Sequence, residues 1–240
     1  MAYIDGFLIP VETSHKQEFV DHASRMDALF IDEGALRVVE AWGDNVPDGK
    51  VTDFRRAVQA GDGETVAFSW IEWPDKATRD AAFAKFEQDE QIMQEPMPFD
   101  GKRMVFGGFE PIVNEGTAAD GDYIQGFVMP VPKNRREDYR KMAQDAWEMF
   151  RGYGATSVVE AWGEDVPEGK QTDFFRAIAA EPDENAVFSW MTWPSREVCD
   201  AAAEKMMNDD SMKMPDDVPF NPQRMIFAGF VPVVELGGGK

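Results

Sequence analysis

Val38–Ala57 reads VVEAWGDNVPDGKVTDFRRA, and Val158–Ala177 reads VVEAWGEDVPEGKQTDFFRA. Of 20 aligned positions 15 are identical at a constant offset of 120 residues, and the changes fall at positions 44, 45, 48, 51 and 55. A second echo, PFDGKRMVFGGFEPIV from Pro98 and PFNPQRMIFAGFVPVV from Pro219, sits at an offset of 121, so one residue is inserted late in the second copy. The chain is therefore one domain written twice. Residues 1–113 and 123–236 are the expected repeats, and the small, polar stretch 114–122, NEGTAADGD, is the expected linker.

Working outward from the repeat, Tyr3–Val11 and Tyr123–Val131 are rich in aromatic and branched residues and read as strands. Ser14 with Gln17, and Asn134 with Glu137, match capping boxes and predict helix starts. Phe19, Ala23, Met26 and Phe30 recur three or four apart, as do Tyr139, Ala143, Ala146 and Phe150, which gives each helix one apolar stripe. Gly34 and Gly152 are the expected stops. Leu36–Trp42 and Thr156–Trp162 read as strands, and 52–60 with 65–73 as a hairpin. Trp73-Pro74 and Trp193-Pro194 close the hairpin, since proline cannot donate to a ladder. Helices follow from Asp75 and Ser195, then last strands over Met104–Val113 and Met225–Val234. The order is that of a ferredoxin-like βαββαβ unit with an additional or broken second strand. Such a unit leaves one sheet face bare, so two copies are expected to pack sheet to sheet as an intramolecular dimeric α/β barrel, an α+β fold.

With 24 Lys and Arg against 45 Asp and Glu, the net charge is −21, which argues against nucleic acid and anionic membranes as partners. One cysteine, Cys199, excludes an intrachain disulfide and a cysteine metal cluster. No base accompanies Cys199, because the second half has no histidine, so its thiol is expected to be inert. The opening MAYIDGFLIPV lacks the pattern of a signal peptide, and no apolar run reaches membrane-spanning length, so a cytoplasmic location is expected.

The segments GK-TDF--RA, FSW and PFDGKRM--GGF resemble the YbaA-like family of uncharacterised bacterial proteins, within the wider dimeric α/β-barrel group. The resemblance spans nearly all of both copies and implies a ferredoxin-like barrel with no established activity. The wider group includes cofactor-free oxygenases and haem-degrading enzymes, but none of their motifs stands in this chain. The second copy departs at Asn221-Pro222-Gln223, where the first has Asp100-Gly101-Lys102, so a site needing that Asp and Lys exists only in the first half.

His15 and His22, both in the first predicted helix, lie about 10 Å apart along its axis, too far to share a metal, and are expected at the surface. No metal site and no cofactor are expected, and the glycines match neither phosphate-binding spacing. The candidate ligand-binding residues are Glu40, Trp42, Arg56, Trp70 and Arg103, with their copies Glu160, Trp162, Arg176, Trp190 and Arg224. The tryptophans are pocket lining or, more simply, core. Glu40 and Glu160 are mid-strand carboxylates, which signals either an ion pair or a raised pKa. In the strand expected at 52–60, Arg56 shares the apolar face with Phe54 and Val58, so pairs Arg56–Glu40 and Arg176–Glu160 are predicted. The expected function is binding of a small, partly apolar molecule, neutral or anionic, between sheet and helices. The alternatives are a cofactor-independent oxygenase or isomerase using Glu40 or Asp53 as base, and a regulatory or structural partner-binding module. A monomer carrying its own pseudo-dimer is expected, because the second copy covers the face a single copy would expose.

Overall fold

A computed structural model describes residues 2–208 and 217–238. The first repeat runs β1 (Tyr3–Glu12), α1 (Lys16–Asp32), β2 (Arg37–Asn45), α2 (Phe54–Ala57), β3 (Glu64–Trp73), α3 (Lys76–Phe86), α4 (Glu90–Met93) and β4 (Val105–Gly116). The second runs β5 (Tyr123–Pro132), α5 (Arg136–Tyr153), β6 (Ser157–Asp165), α6 (Phe174–Ala177), β7 (Glu184–Trp193), α7 (Arg196–Asn208) and β8 (Ile226–Gly237). Each repeat is an antiparallel sheet of order β4-β1-β3-β2 or β8-β5-β7-β6, with its long helices on one face. The bare faces meet, and the edges also pair, β2 with β8 and β4 with β6, so eight strands close into a barrel. No unpaired sheet edge remains in that circuit.

The closing pairs need a bulge because Pro111 and Pro232 have no N–H to give. The register shifts beside both, skipping Ile112 and Val233. Those two side chains pack in the helix layers of the opposite halves, Val233 beside Phe19 and Trp42, and Ile112 beside Tyr139 and Trp162. Each half thus lends a residue to the other's outer core.

The barrel interior is filled by aromatic side chains from both halves. Phe68 stacks on Phe188 at 4.5 Å and Trp70 on Trp190 at 4.3 Å. Gly6 and Gly126 make room for this. A Cβ at Gly6 would lie 3.0 Å from the Phe188 ring, and one at Gly126 3.0 Å from Phe68.

The strand expected over 52–60 is not formed, and this corrects both its face assignment and the pairs deduced from it. Asp53 is extended, accepts from the Arg56 amide at 2.8 Å and so starts a one-turn helix, α2; Asp173 does the same for α6. The two short helices touch across the barrel mouth, Phe54 and Phe174 plug the interior, and Thr52 Oγ1 donates to the Ala177 carbonyl as Thr172 Oγ1 does to that of Ala57. Gln59 and Ala179, just after these turns, hold φ of 53° and 47°, left-handed values that carry strain of order 1 kcal/mol in a residue with a Cβ.

Three smaller expectations also change. The long helices begin through 3-10 turns at Thr13–His15 and Lys133–Arg135, with no side-chain cap hydrogen bond, so neither capping box forms. Gly152 lies inside α5, which ends at Gly154 with φ 108°. β4 continues through Asn114–Gly116, three residues of the expected linker, where it pairs with β6.

Candidate functional site

Alternate residues of β2 face opposite sides, so Val39 and Ala41 enter the barrel while Val38, Glu40 and Trp42 face the helix layer. Glu40 is buried and its Oε2 accepts from Ser69 Oγ on the neighbouring strand. Above it, Asp27 projects from the buried face of α1 with Phe19 and Ala23. Asp27 is only 4% exposed and its Oδ2 has no hydrogen-bond partner. Burial pushes its carboxyl up to about 9, the charge of Glu40 adding to the effect, and burial pushes Glu40 up to about 7 against the opposing Ser69 bond. The charge of an ionised Glu40 opposes ionisation of Asp27, so the pair resists carrying two charges in this buried layer.

The second half answers the same position differently. Trp147 stands where Asp27 would be and fills the layer against Val113 and Gly116. Tyr139 replaces Phe19 and donates to Glu160 Oε2 at 2.5 Å. Burial raises Glu160 to about 7, with the Tyr139 and Ser189 bonds working against it. Neither glutamate meets an arginine, so the predicted ion pairs are replaced by hydroxyl partners.

The ten candidate residues do not form one site. Arg56 is 54% exposed and bonds to the Gly49 carbonyl at 3.0 Å and Asp53 at 3.3 Å; Arg176 is 52% exposed and pairs with Asp173. Asp53 is consequently a cap that accepts from the Arg56 and Gly49 amides. Arg103 forks onto Glu64 with two 2.8 Å bonds and holds its carboxyl down to about 2; Arg224 does likewise to Glu184 at 2.5 and 2.7 Å. Both are clamps between the segment before the last strand and the start of the hairpin strand. Trp70 and Trp190 lie inside the barrel, Trp70 Nε1 donating to Glu72 at 2.9 Å. Trp42 and Trp162 lie in the helix layers, each with a cation over its ring, Lys16 and Arg136.

The apolar stripe of α1 runs through Phe19, Ala23, Met26 and Phe30, so the periodicity does not mark Asp27 as a buried position. Its alignment with Trp147 was the available signal, a charge where the copy carries a large aromatic. His22 also corrects an expectation. Its side chain is 12% exposed, its Nδ1 is buried without a hydrogen bond at 4.0 Å from Glu95 Oε1, and burial lowers its pKa, whereas His15 is 42% exposed.

Clefts flank α1 on both sides. One of about 400 Å³ is lined by Glu18, His22, Arg25, Met97 and Pro98, and one of about 200 Å³ by Met26, Leu29, Phe30, Phe83, Phe86 and Ile92. The thiol of Cys199 is buried and pushed up to about 11. Among the described residues, no three His, Cys, Asp or Glu side chains converge to hold a metal ion, and no helix is long and apolar enough to cross a membrane.

Solved structures share this architecture. An anthrone oxidase-like protein matches with a TM-score of 0.59 at 13% identity, covering 100% of this chain and 94% of the other. A Lactobacillus acidophilus protein described as a "putative monooxygenase" matches at 0.57 and 12%, covering 99% and 97%. At such identities they establish the fold alone. In sequence, the uncharacterized protein YbaA of Escherichia coli (strain K12) is 51% identical over 117 residues, 48% of this chain and all of that protein; the YbaA of Shigella flexneri matches equally. A relative one repeat long, aligned to a chain twice its length, accords with duplication. The model of the family described as "Protein of unknown function (DUF1428)" matches residues 2–101 and again 122–222, so this chain belongs to that family and carries its domain twice.

Proposed function

We propose that the first half binds a small, partly apolar molecule beside α1, with the Asp27–Glu40 pair receiving its polar end. The observation that carries this is Asp27: a carboxyl 4% exposed, one oxygen unpartnered, standing where the second half has a filling tryptophan. An orphaned buried acceptor costs roughly 1–3 kcal/mol, which a hydrogen-bond donor on a ligand would recover. The apolar cleft lined by Met26, Phe30 and Phe83 would take the rest of the molecule. Because the neighbouring carboxyl is also acidic, the pair favours a neutral donor or a cation over an anion.

A second reading is supported by the raised pKa values of the same pair. A carboxylate with a pKa near neutrality is suited to take a proton from a carbon acid held in the cleft.

A thermal-shift screen of a metabolite library tests both. A compound that raises the midpoint of the wild-type chain and loses its effect in Asp27→Asn and in Glu40→Gln supports the site. If no compound shifts the midpoint, or the shift persists in both variants, the proposal fails. Turnover of a hit by the wild type but not by Glu40→Gln would select the enzyme reading.

A further inference from the structure

A separate cleft of about 340 Å³ lies on the seam between the halves. Lys102, Met104 and Phe106 line it from the first half, and Pro167, Lys170 and Gln171 from the second. Phe106 is 45% exposed, a large ring left in water. Neither ammonium has a carboxylate within ion-pairing distance among the described residues, a condition they share with Lys16, Lys50 and Lys133. What sets these two apart is that both line one concavity, in a chain of charge −21. The acidic groups nearby are mostly spoken for: Asp173 by Arg176 and Asp100 by Arg103. Glu168 is the remaining carboxylate on the lining.

The internal repeat supplies a control. On the pseudo-equivalent seam Lys50 and Phe227 persist, but Gln223 replaces Lys102 and Val51 replaces Gln171. One copy therefore has two cations beside its ring and the other has one. The geometry points to a second binding site at the first seam, for a small organic anion with an aromatic or alicyclic body. Its carboxylate or sulfonate lies between Lys102 and Lys170, and its ring lies on Phe106. The volume falls in the range of sites that enclose ring-sized ligands, and ammonium groups suit an anion as point charges without demanding a fixed fork. The site needs both halves, since its two lysines come from different repeats.

The test is titration of the full chain with 1-naphthoate, followed by calorimetry, against 1-naphthylmethylamine as the probe of opposite charge. One saturable naphthoate site per chain is expected, weakening as salt rises. Lys102→Gln and Lys170→Gln should each weaken it about tenfold, Phe106→Ala should weaken it too, and Lys50→Gln and Asp27→Asn should leave it unchanged. Thermal midpoints of these variants separate lost binding from lost folding. Absence of a saturable site, equal binding of the amine, or equal losses from Lys50→Gln and Lys102→Gln would overturn the assignment.

Discussion

Asp5 and Arg79 form the ion pair that Arg56 and Glu40 do not. Asp5 is 2% exposed, and it accepts from Arg79 Nη2 at 2.8 Å and Trp73 Nε1 at 2.8 Å. Burial still raises its carboxyl despite the arginine. Removing one partner of a buried pair strands the other, so Arg79→Met should cost about 3–5 kcal/mol in denaturant unfolding. The second copy shows the alternative solution, Gln125 and Cys199, which leaves Trp193 Nε1 without a partner. The double variant D5Q/R79C should therefore be less damaged than Arg79→Met alone, and a double variant that is no better would show that the charge is not what matters. The Asp27–Glu40 pair gives a pH prediction. Both carboxyls are raised in the folded state, so the native chain binds more protons than the unfolded one above the ordinary carboxylate range near pH 4. The stability they contribute is present below that range and lost as pH rises through about 7 and 9. His22, with its lowered pKa, acts in the opposite direction only at lower pH, and Glu160, raised to about 7, adds its own fall mostly below pH 7, so pH 7 to 9 reports chiefly on Asp27. Stability should fall there by about 2 kcal/mol, and the fall should flatten in D27N/E40Q. A wild-type midpoint that rises between pH 7 and 9 would contradict the burial of protonated carboxyls.

At the scale of elements, the repeat made strands and long helices legible because each pattern appears twice with independent substitutions. The exception, residues 52–60, is instructive. Phe54, Arg56 and Val58 alternate as in a strand, but α2 is only four residues long, too short to show a helical period. What decides it is Asp53, an N-cap whose acceptor role reaches both the Arg56 and Gly49 amides. Asp53→Ala should thus cost about 1–2 kcal/mol, while Arg56→Met, on an exposed side chain, should cost under about 1 kcal/mol. The opposite order would restore the strand-based view of Arg56. The candidate site was legible only in part. Glu40 stood out because a carboxylate lay between valines and tryptophan, yet its partners come from another strand and from α1, and no local pattern in the sequence brings Asp27 over Glu40. The clefts beside α1 depend on how helices lean on the sheet, which composition and periodicity do not encode.

For the whole molecule, closure is the controlling fact. Every sheet edge in the barrel is paired with an edge of the other repeat, and the interior stacks Phe68 on Phe188 and Trp70 on Trp190. A second chain has no such face left to cover, so we expect light scattering to give about 27.0 kDa at all dilutions, and twice that mass would contradict the expectation. The sharper test is residues 1–116 alone. That half exposes Leu8, Phe68 and Trp70 and leaves β2 and β4 as open edges, a state that favours association. Its own sequence also meets the demands of the closed barrel. Gly6 faces Phe188 in the full chain, and in a symmetric pair of first halves it would face the Phe68 of the second copy, an identical ring. Thr52 donates to Ala177, and in the pair it would donate to the equivalent Ala57 carbonyl. The isolated half should accordingly run at twice its own mass and bury its tryptophans. Substituting Gly6→Val, which sets side-chain carbon against that ring, should drive it to monomer or aggregate while a change at exposed Lys50 leaves it dimeric. A half that stays monomeric and cooperatively folded would mean that the barrel interior is not what holds the repeats together.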